Sequence, residues 1–285
     1  MTNLRRQVRN YLGRRIGVEA DTEVLWTPEF PLIYVNNPKA GCSTIKQSLK
    51  AAQADAHKRA GRDFELAADP HVTDDCLRRD GLRAGECRER YVFSCVRNPF
   101  ARALSAYLDK VEHRDHRMFP ELRSLDAVSF ESFLRALAQS PAAQLNVHFR
   151  PQHINLGFPK LTYDAVFFLE HPAAMSTFLA QVVSGFELQR FAPHARGAAD
   201  KIAAHYDATT EQLVREVYAG DFEAFGYSPR VEDARRAPGS MIVEHRLLPH
   251  DEPLPELPDR SRASRDTRVI ENAMLLRRLV KRRLI

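Results

Sequence analysis

No run of 18 or more apolar residues occurs in the chain, so the sequence contains no ordinary transmembrane helix. The N-terminus is rich in arginine but has no apolar stretch behind it, and no secretory signal is visible. Cysteine is scarce, 4 residues in 285 with irregular spacing, which gives no disulfide framework. Cys42 and Cys95 fall on the two strand–loop units described below and read as free thiols. Cys76 and Cys87 could bridge a short loop in an oxidising compartment, but a reduced, cytoplasmic protein is the default expectation. No internal repeat is evident. The chain is long enough to bury a substantial core in one or two domains.

The formal net charge of +5 is unevenly spread. Residues 1–18 carry five arginines and no acid, and residues 268–285 carry six basic residues against Glu271. The two ends together contribute +10 and the body −5, so the basic balance is no sign of a nucleic-acid partner. In the last segment Val269, Ala273, Leu276, Val280 and Leu284 share one helical side, with Arg278, Lys281 and Arg282 mostly opposite. Such a helix either packs on its own domain or lies peripherally on an anionic membrane. Pro249, Pro253, Pro255 and Pro258 among charges mark an extended linker. The expected organisation is a folded domain over residues 1–248, a Pro-rich linker over 249–267 and a basic amphipathic helix over 268–285.

The chemistry concentrates in two short stretches. Residues 36–46, NNPKAGCSTIK, follow an apolar run long enough for a buried strand and lead into a helical pattern. The first-turn amides of a helix have no partners inside it, and the aligned peptide dipoles place partial positive charge there. Lys39 stands beside this cradle, Ser43 and Thr44 add hydroxyls, and Ala40 and Gly41 let backbone approach an oxyanion. The nucleotide triphosphatase pattern G-x-x-x-x-G-K-[ST] does not fit, because Lys39 precedes Gly41 and no glycine opens the loop. A Cys-x5-Arg phosphatase loop fails too: Ser48 stands six residues after Cys42, and Ala101 six after Cys95.

The second stretch, residues 91–110, reads YVFSCVRNPFARALSAYLDK: an apolar strand, then Arg97-Asn98-Pro99-Phe100, then a helix. Asn98 suits a helix cap and Pro99 the first helical position. Arg97 leaves the strand end, where its guanidinium can fork onto a phosphate, and Ser105 lies about two turns into the helix. Strands are expected at 31–36, 91–96 and 165–169, with helices near 41–59, 99–117, 129–139, 172–184 and 208–220. This alternation predicts an α/β protein with a mostly parallel sheet, binding ligand in a crevice at the carboxyl ends of its strands.

Together the two units resemble the sulfotransferases that use 3′-phosphoadenosine 5′-phosphosulfate, in particular the family 2 branch with the chondroitin and HNK-1 enzymes. Pro38, Lys39, Cys42, Ser43, Thr44 and Lys46 are similar to that family's P-K-x-x-[CS]-[ST]-x-x-K loop. Arg97, Asn98, Pro99, Phe100, Arg102, Ser105, Ala106 and Tyr107 are similar to R-[DN]-P-[FY]-x-R-x-x-S-A-Y. His148-Phe149-Arg150-Pro151-Gln152 looks like H-W-x-P-Q, with Tyr163-Asp164 following, and residues 218–227, YAGDFEAFGY, look like the closing segment. The likeness spans roughly residues 31–228. Ile45 and Phe149 stand where tryptophan is usual, and the cysteines of secreted members after H-W-x-P-Q are missing.

The resemblance implies a three-layer α/β/α, P-loop-like sulfotransferase fold and sulfuryl transfer to a carbohydrate or glycolipid hydroxyl. It implies that Lys39, Ala40, Gly41, Cys42, Ser43 and Thr44 hold the phosphosulfate, that Arg97 and Ser105 hold the 3′-phosphate, and that His148 and Gln152 meet the acceptor. Lys39 would stabilise charge growing on the leaving group, with no metal required. A base is also needed, and histidine is the usual choice. His71, between the two loops, is the expectation; His148, His57, Glu65 and Asp69 are alternatives, with His57 expected to face solvent. The spacing His113-x-x-His116 invites a metal reading, but no Cys or acid stands at ligand spacing, so a solvated helix face is expected.

Overall fold

The expected apolar strands sit side by side at the centre of the molecule. A computed structural model describes residues 22–65, 67, 69–72, 90–112, 114–159, 161, 163–189, 200–243 and 246–249. Within these residues a six-stranded sheet has its strands in sequence order. The strands are β1 (Val24–Trp26), β2 (Leu32–Val35), β3 (Tyr91–Val96), β4 (Ala165–Phe168), β5 (Ser240–Val243) and β6 (Arg246–Pro249). β2, β3 and β4 are parallel neighbours, with Ile33 opposite Val92 and Cys95 opposite Phe167. β1 is antiparallel to β2, and β5 and β6 close the other edge as antiparallel strands. Every residue of β2 and β4 is buried, as expected of strands covered on both faces.

The helices are α1 (Cys42–Arg59), α2 (Pro99–Lys110), α3 (Phe130–Gln139), α4 (Gln152–Asn155), α5 (Pro172–Val182), α6 (Ile202–His205), α7 (Ala208–Val217) and α8 (Ala219–Phe225). The five anticipated helices all form, with two adjustments. The second stops at Lys110 instead of 117, and His116 lies beyond it in a short 3-10 turn, its Nε2 2.7 Å from the Leu125 carbonyl oxygen. His113, its expected companion at the 113/116 spacing, lies outside the described residues. The last stops at Val217 and restarts as α8. Polar side chains set the starts: Asn98 Oδ1 accepts from the Phe100 amide at 3.0 Å, and Asp207 and Thr210 form a reciprocal capping box on α7.

Aromatic packing fixes the helices to the sheet. Phe178 of α5 meets the rings of Tyr91, Phe93 and Phe167, while Phe168 meets Tyr227 edge-on. Phe133 and Phe149 pack together, and Phe100 packs on Phe222. Pro249, the first residue of the expected linker over 249–267, ends β6 instead; the rest of that linker and the C-terminal helix over 268–285 lie outside the described residues, as do Cys76 and Cys87.

Candidate active site

Because β2, β3 and β4 are parallel neighbours, the chain leaves their carboxyl ends at one edge of the sheet. Three segments therefore meet there: 36–41, 97–98 and 169–170.

The first turns sharply. Lys39 has φ 68° and Gly41 φ 77°, two left-handed positions flanking Ala40. At Gly41 the left-handed φ favours glycine, and a Cβ would stand 2.7 Å from Leu169 Cδ1 and push that side chain aside. Gly41 caps α1 with backbone alone, leaving the first-turn amides of Cys42, Ser43 and Thr44 unblocked by any capping side chain. Residues 41–44 are partly exposed, while Ala40 is fully buried. The turn and the bare start of α1 lie where the sequence led us to expect an anion cradle.

Lys39 Nζ lies 3.0 Å from Asp109 Oδ2, with both side chains largely buried. Burial pulls the Lys39 ammonium below its ordinary range, and the Asp109 charge opposes this. Burial also acts to raise the Asp109 carboxyl, but the charge and hydrogen bond of Lys39, together with Lys110, outweigh it and hold that group well below the usual range. Lys110 Nζ is 3.2 Å from the same oxygen.

Arg97 reaches across to the first loop, its Nη1 3.4 Å from the Lys39 carbonyl oxygen. Glu170 lies close enough to sense its charge. Glu170 accepts from the Asn98 amide at 2.8 Å and from the Tyr227 hydroxyl at 2.9 Å, and its burial raises its carboxyl despite these bonds. Ser105 lies partly exposed on α2.

Gln152 joins the two loops. Its Oε1 accepts from Asn37 Nδ2 and from the Arg97 amide, both at 2.9 Å, and its Nε2 donates to the Arg97 carbonyl oxygen at 2.8 Å. The residue is fully buried and its amide is taken up by these bonds, so here it ties the loops together instead of facing a substrate. Arg102 does similar work: Nε donates to Pro38 O at 3.0 Å and Nη1 to Arg150 O at 2.9 Å. Asp221 in turn holds the amides of Gln152 and His153 at 2.8 Å each.

The histidines separate by their partners. His57 lies 3.0 Å from Glu29 Oε1 and stacks on Phe64, so it does not face solvent as the sequence suggested. His71 Nε2 is 3.1 Å from Ser43 Oγ, and its Nδ1 is 3.2 Å from Lys46 Nζ, which also donates to Glu23 at 2.7 Å. An ammonium has no lone pair, so Nδ1 accepts and the ring proton sits on Nε2, pointing at Ser43. His71 is thus brought to the cradle, with both ring nitrogens engaged. His148 Nδ1 is 2.7 Å from Asn146 Oδ1, and its ring is partly exposed. Asp69, another candidate base, accepts from the His71 amide at 2.8 Å, and Glu65 is exposed.

Residues 22–228 match the sulfotransferase family model, which covers all three loops and the residues just described. The chain belongs to the sulfotransferase family. It matches no curated protein and no solved structure.

The sulfotransferase is therefore an enzyme that transfers a sulfuryl group, built on a mixed α/β fold with a central parallel sheet. Among its described residues no helix is long and apolar enough to cross a membrane, and no cluster of three or more His, Cys, Asp or Glu is arranged to hold a metal ion. Cys42 and Cys95 are free thiols. The sequence picked out both loops but missed Glu23, Asp109, Asn146 and Glu170, the partners that hold Lys46, Lys39, His148 and the second loop in place.

Proposed function

We propose that this sulfotransferase takes its sulfuryl group from 3′-phosphoadenosine 5′-phosphosulfate and delivers it to a hydroxyl of a carbohydrate or glycolipid acceptor. The observation that carries the reading is the direct contact of the two loops, Arg97 Nη1 to the Lys39 carbonyl, with Gln152 bonded to both. One donor molecule could then be held at both ends.

The residues suit such a donor. The 42–44 amides, Lys39 and the Ser43 and Thr44 hydroxyls offer donors to a phosphosulfate, and Gly41 has the bare backbone that close approach needs. The Arg97 guanidinium and the Ser105 hydroxyl suit the 3′-phosphate, a group that ATP lacks. In the transfer, the acceptor oxygen bonds to sulfur as the bond from sulfur to the bridging oxygen breaks, and the electron pair leaves with the nucleotide. Lys39 and the cradle amides stabilise the negative charge growing there, more strongly than in the ground state. These cations and amides supply the positive charge, and no metal is part of the reading. His71, expected from the sequence as the base, fits a positioning role: its Nε2–H to Ser43 leaves the hydroxyl proton of Ser43 free to point at the donor. Gln152 is likewise a positioning residue.

A carbohydrate acceptor and the three-layer arrangement rest on the likeness of the 38–46, 97–107, 148–152 and 218–227 segments to the carbohydrate branch; α5 and Tyr227 packing on β3 and β4 supports the layering. Transfer of labelled sulfate from the donor to a glycan panel tests the function. Turnover by the wild type and its near-complete loss in Lys39→Ala are expected; wild-type rates in that variant would remove Lys39 from the chemistry.

A further inference from the structure

We propose that His148 Nε2 receives the proton of the acceptor hydroxyl, and that seating the donor's anionic groups on Lys39 is what makes this nitrogen basic. The proposal rests on the reading of the site as one for a phosphoadenosine phosphosulfate donor.

The ring orientation carries the first half. Asn146 Oδ1 accepts from the backbone amide of His148 at 3.1 Å, which identifies that end of the side chain as the oxygen. Ring Nδ1, 2.7 Å from the same oxygen, must therefore carry the proton. The lone pair is then on Nε2, which bonds to none of the described residues. A base held by one ring nitrogen and open at the other is set up for proton abstraction. Its segment is also fixed to the donor loop: Arg102 donates to Pro38 O, to Val147 O at 3.3 Å and to Arg150 O. His71 differs here, since Ser43 and Lys46 engage both of its nitrogens.

The surrounding charges carry the second half. The charges that act on His148 include Lys39 on the first loop and Arg102, Asp109 and Lys110 on α2. Burial, then Lys110, Lys39 and Arg102, push its pKa down to about 3, with Asp109 opposing. The ring is then neutral across the working range, with its lone pair available but weak. Negative charge on Lys39 and the cradle offsets the cations and raises the basicity. Proton abstraction is thereby tied to donor occupancy. In the balanced step the acceptor O–H bond breaks as the O–S bond forms, the S–O bond to the nucleotide breaks, and the proton goes to Nε2 and later to water.

The test follows the His148 Cε1–H resonance by NMR in histidine-labelled protein, assigned through its loss in His148→Gln, with and without 3′-phosphoadenosine 5′-phosphate. The expected result is an apparent pKa higher by ~1 or more with the nucleotide bound. Lys39→Met without nucleotide should also raise it. Donor hydrolysis, in which water takes the acceptor's place, should fall ~10²-fold or more in His148→Gln and lose its acid limb, while nucleotide affinity is kept. If the nucleotide binds but the resonance titrates unchanged, or if the variant hydrolyses donor as the wild type does, the inference is overturned and the donor reading stands. Should the wild type fail to bind the nucleotide, both are overturned.

Discussion

Lys39 is set between two demands, one from its own fold and one from the chemistry. Its ammonium is buried against Asp109, and that pair stabilises the loop only while the carboxyl is ionised. Asp109 has a folded pKa below its ordinary 3.8, so its contribution is complete above about that pH and is lost as pH falls toward the depressed folded value. In Lys39→Met the carboxyl keeps only Lys110, so its pKa rises and its share of stability at neutral pH shrinks. Denaturant unfolding at a series of pH values from 3 to 7 should show a smaller pH dependence in the variant; identical curves would mean that the pair contributes nothing. Transfer should fall by ~10²–10³-fold in the same variant, the cost of losing one charge-stabilising donor. Gly41→Ala forces a side chain into the left-handed region, at ~1–2 kcal/mol, and drives it into Leu169. A lowered unfolding midpoint together with weakened nucleotide binding is expected, and an unchanged midpoint would contradict the account of that turn.

At the scale of the elements, the site is a problem of holding two strand-to-helix loops together. Gln152 is the joint, and Gln152→Leu would leave the Asn37 amide group and the Arg97 backbone groups without it. Each buried group left unpaired costs ~1–3 kcal/mol. A fall in unfolding free energy with a larger loss of nucleotide affinity is expected; equal affinity would show that the loops hold register without it. Asn98→Ala removes the cap of α2 and should cost ~1 kcal/mol by the same measurement. The loops themselves were legible in sequence because an anion cradle needs its Pro, Lys, Gly and hydroxyl residues within one short stretch. Their supports were not. Asp109 stands 70 residues from Lys39, and Glu170 stands 72 from Asn98, so only the folded sheet shows the pairing. His57 was misjudged for the same reason, since helix position suggested solvent while its partner, Glu29, comes from an earlier turn. The outer strands β1, β5 and β6 are 3 or 4 residues long and, unlike the equally short β2, lead into no loop with an anion-binding composition, so little marks them in sequence.

For the whole molecule, three parallel neighbours deliver three loops to one edge, and all three lie within residues 22–228, the span that matches the sulfotransferase family. A polyanion held there by buried cations should stabilise the entire fold by linkage, about 2.7 kcal/mol when it is present at a hundred times its dissociation constant. On the proposed reading Arg97 holds the 3′-phosphate, so Arg97→Gln should weaken the bisphosphate far more than it weakens adenosine 5′-phosphosulfate. The most direct check is calorimetric titration of the wild-type sulfotransferase with 3′-phosphoadenosine 5′-phosphate and, separately, with Mg-ATP. Saturable binding of the bisphosphate, with Mg-ATP much weaker, is the predicted result; binding of Mg-ATP alone would contradict it.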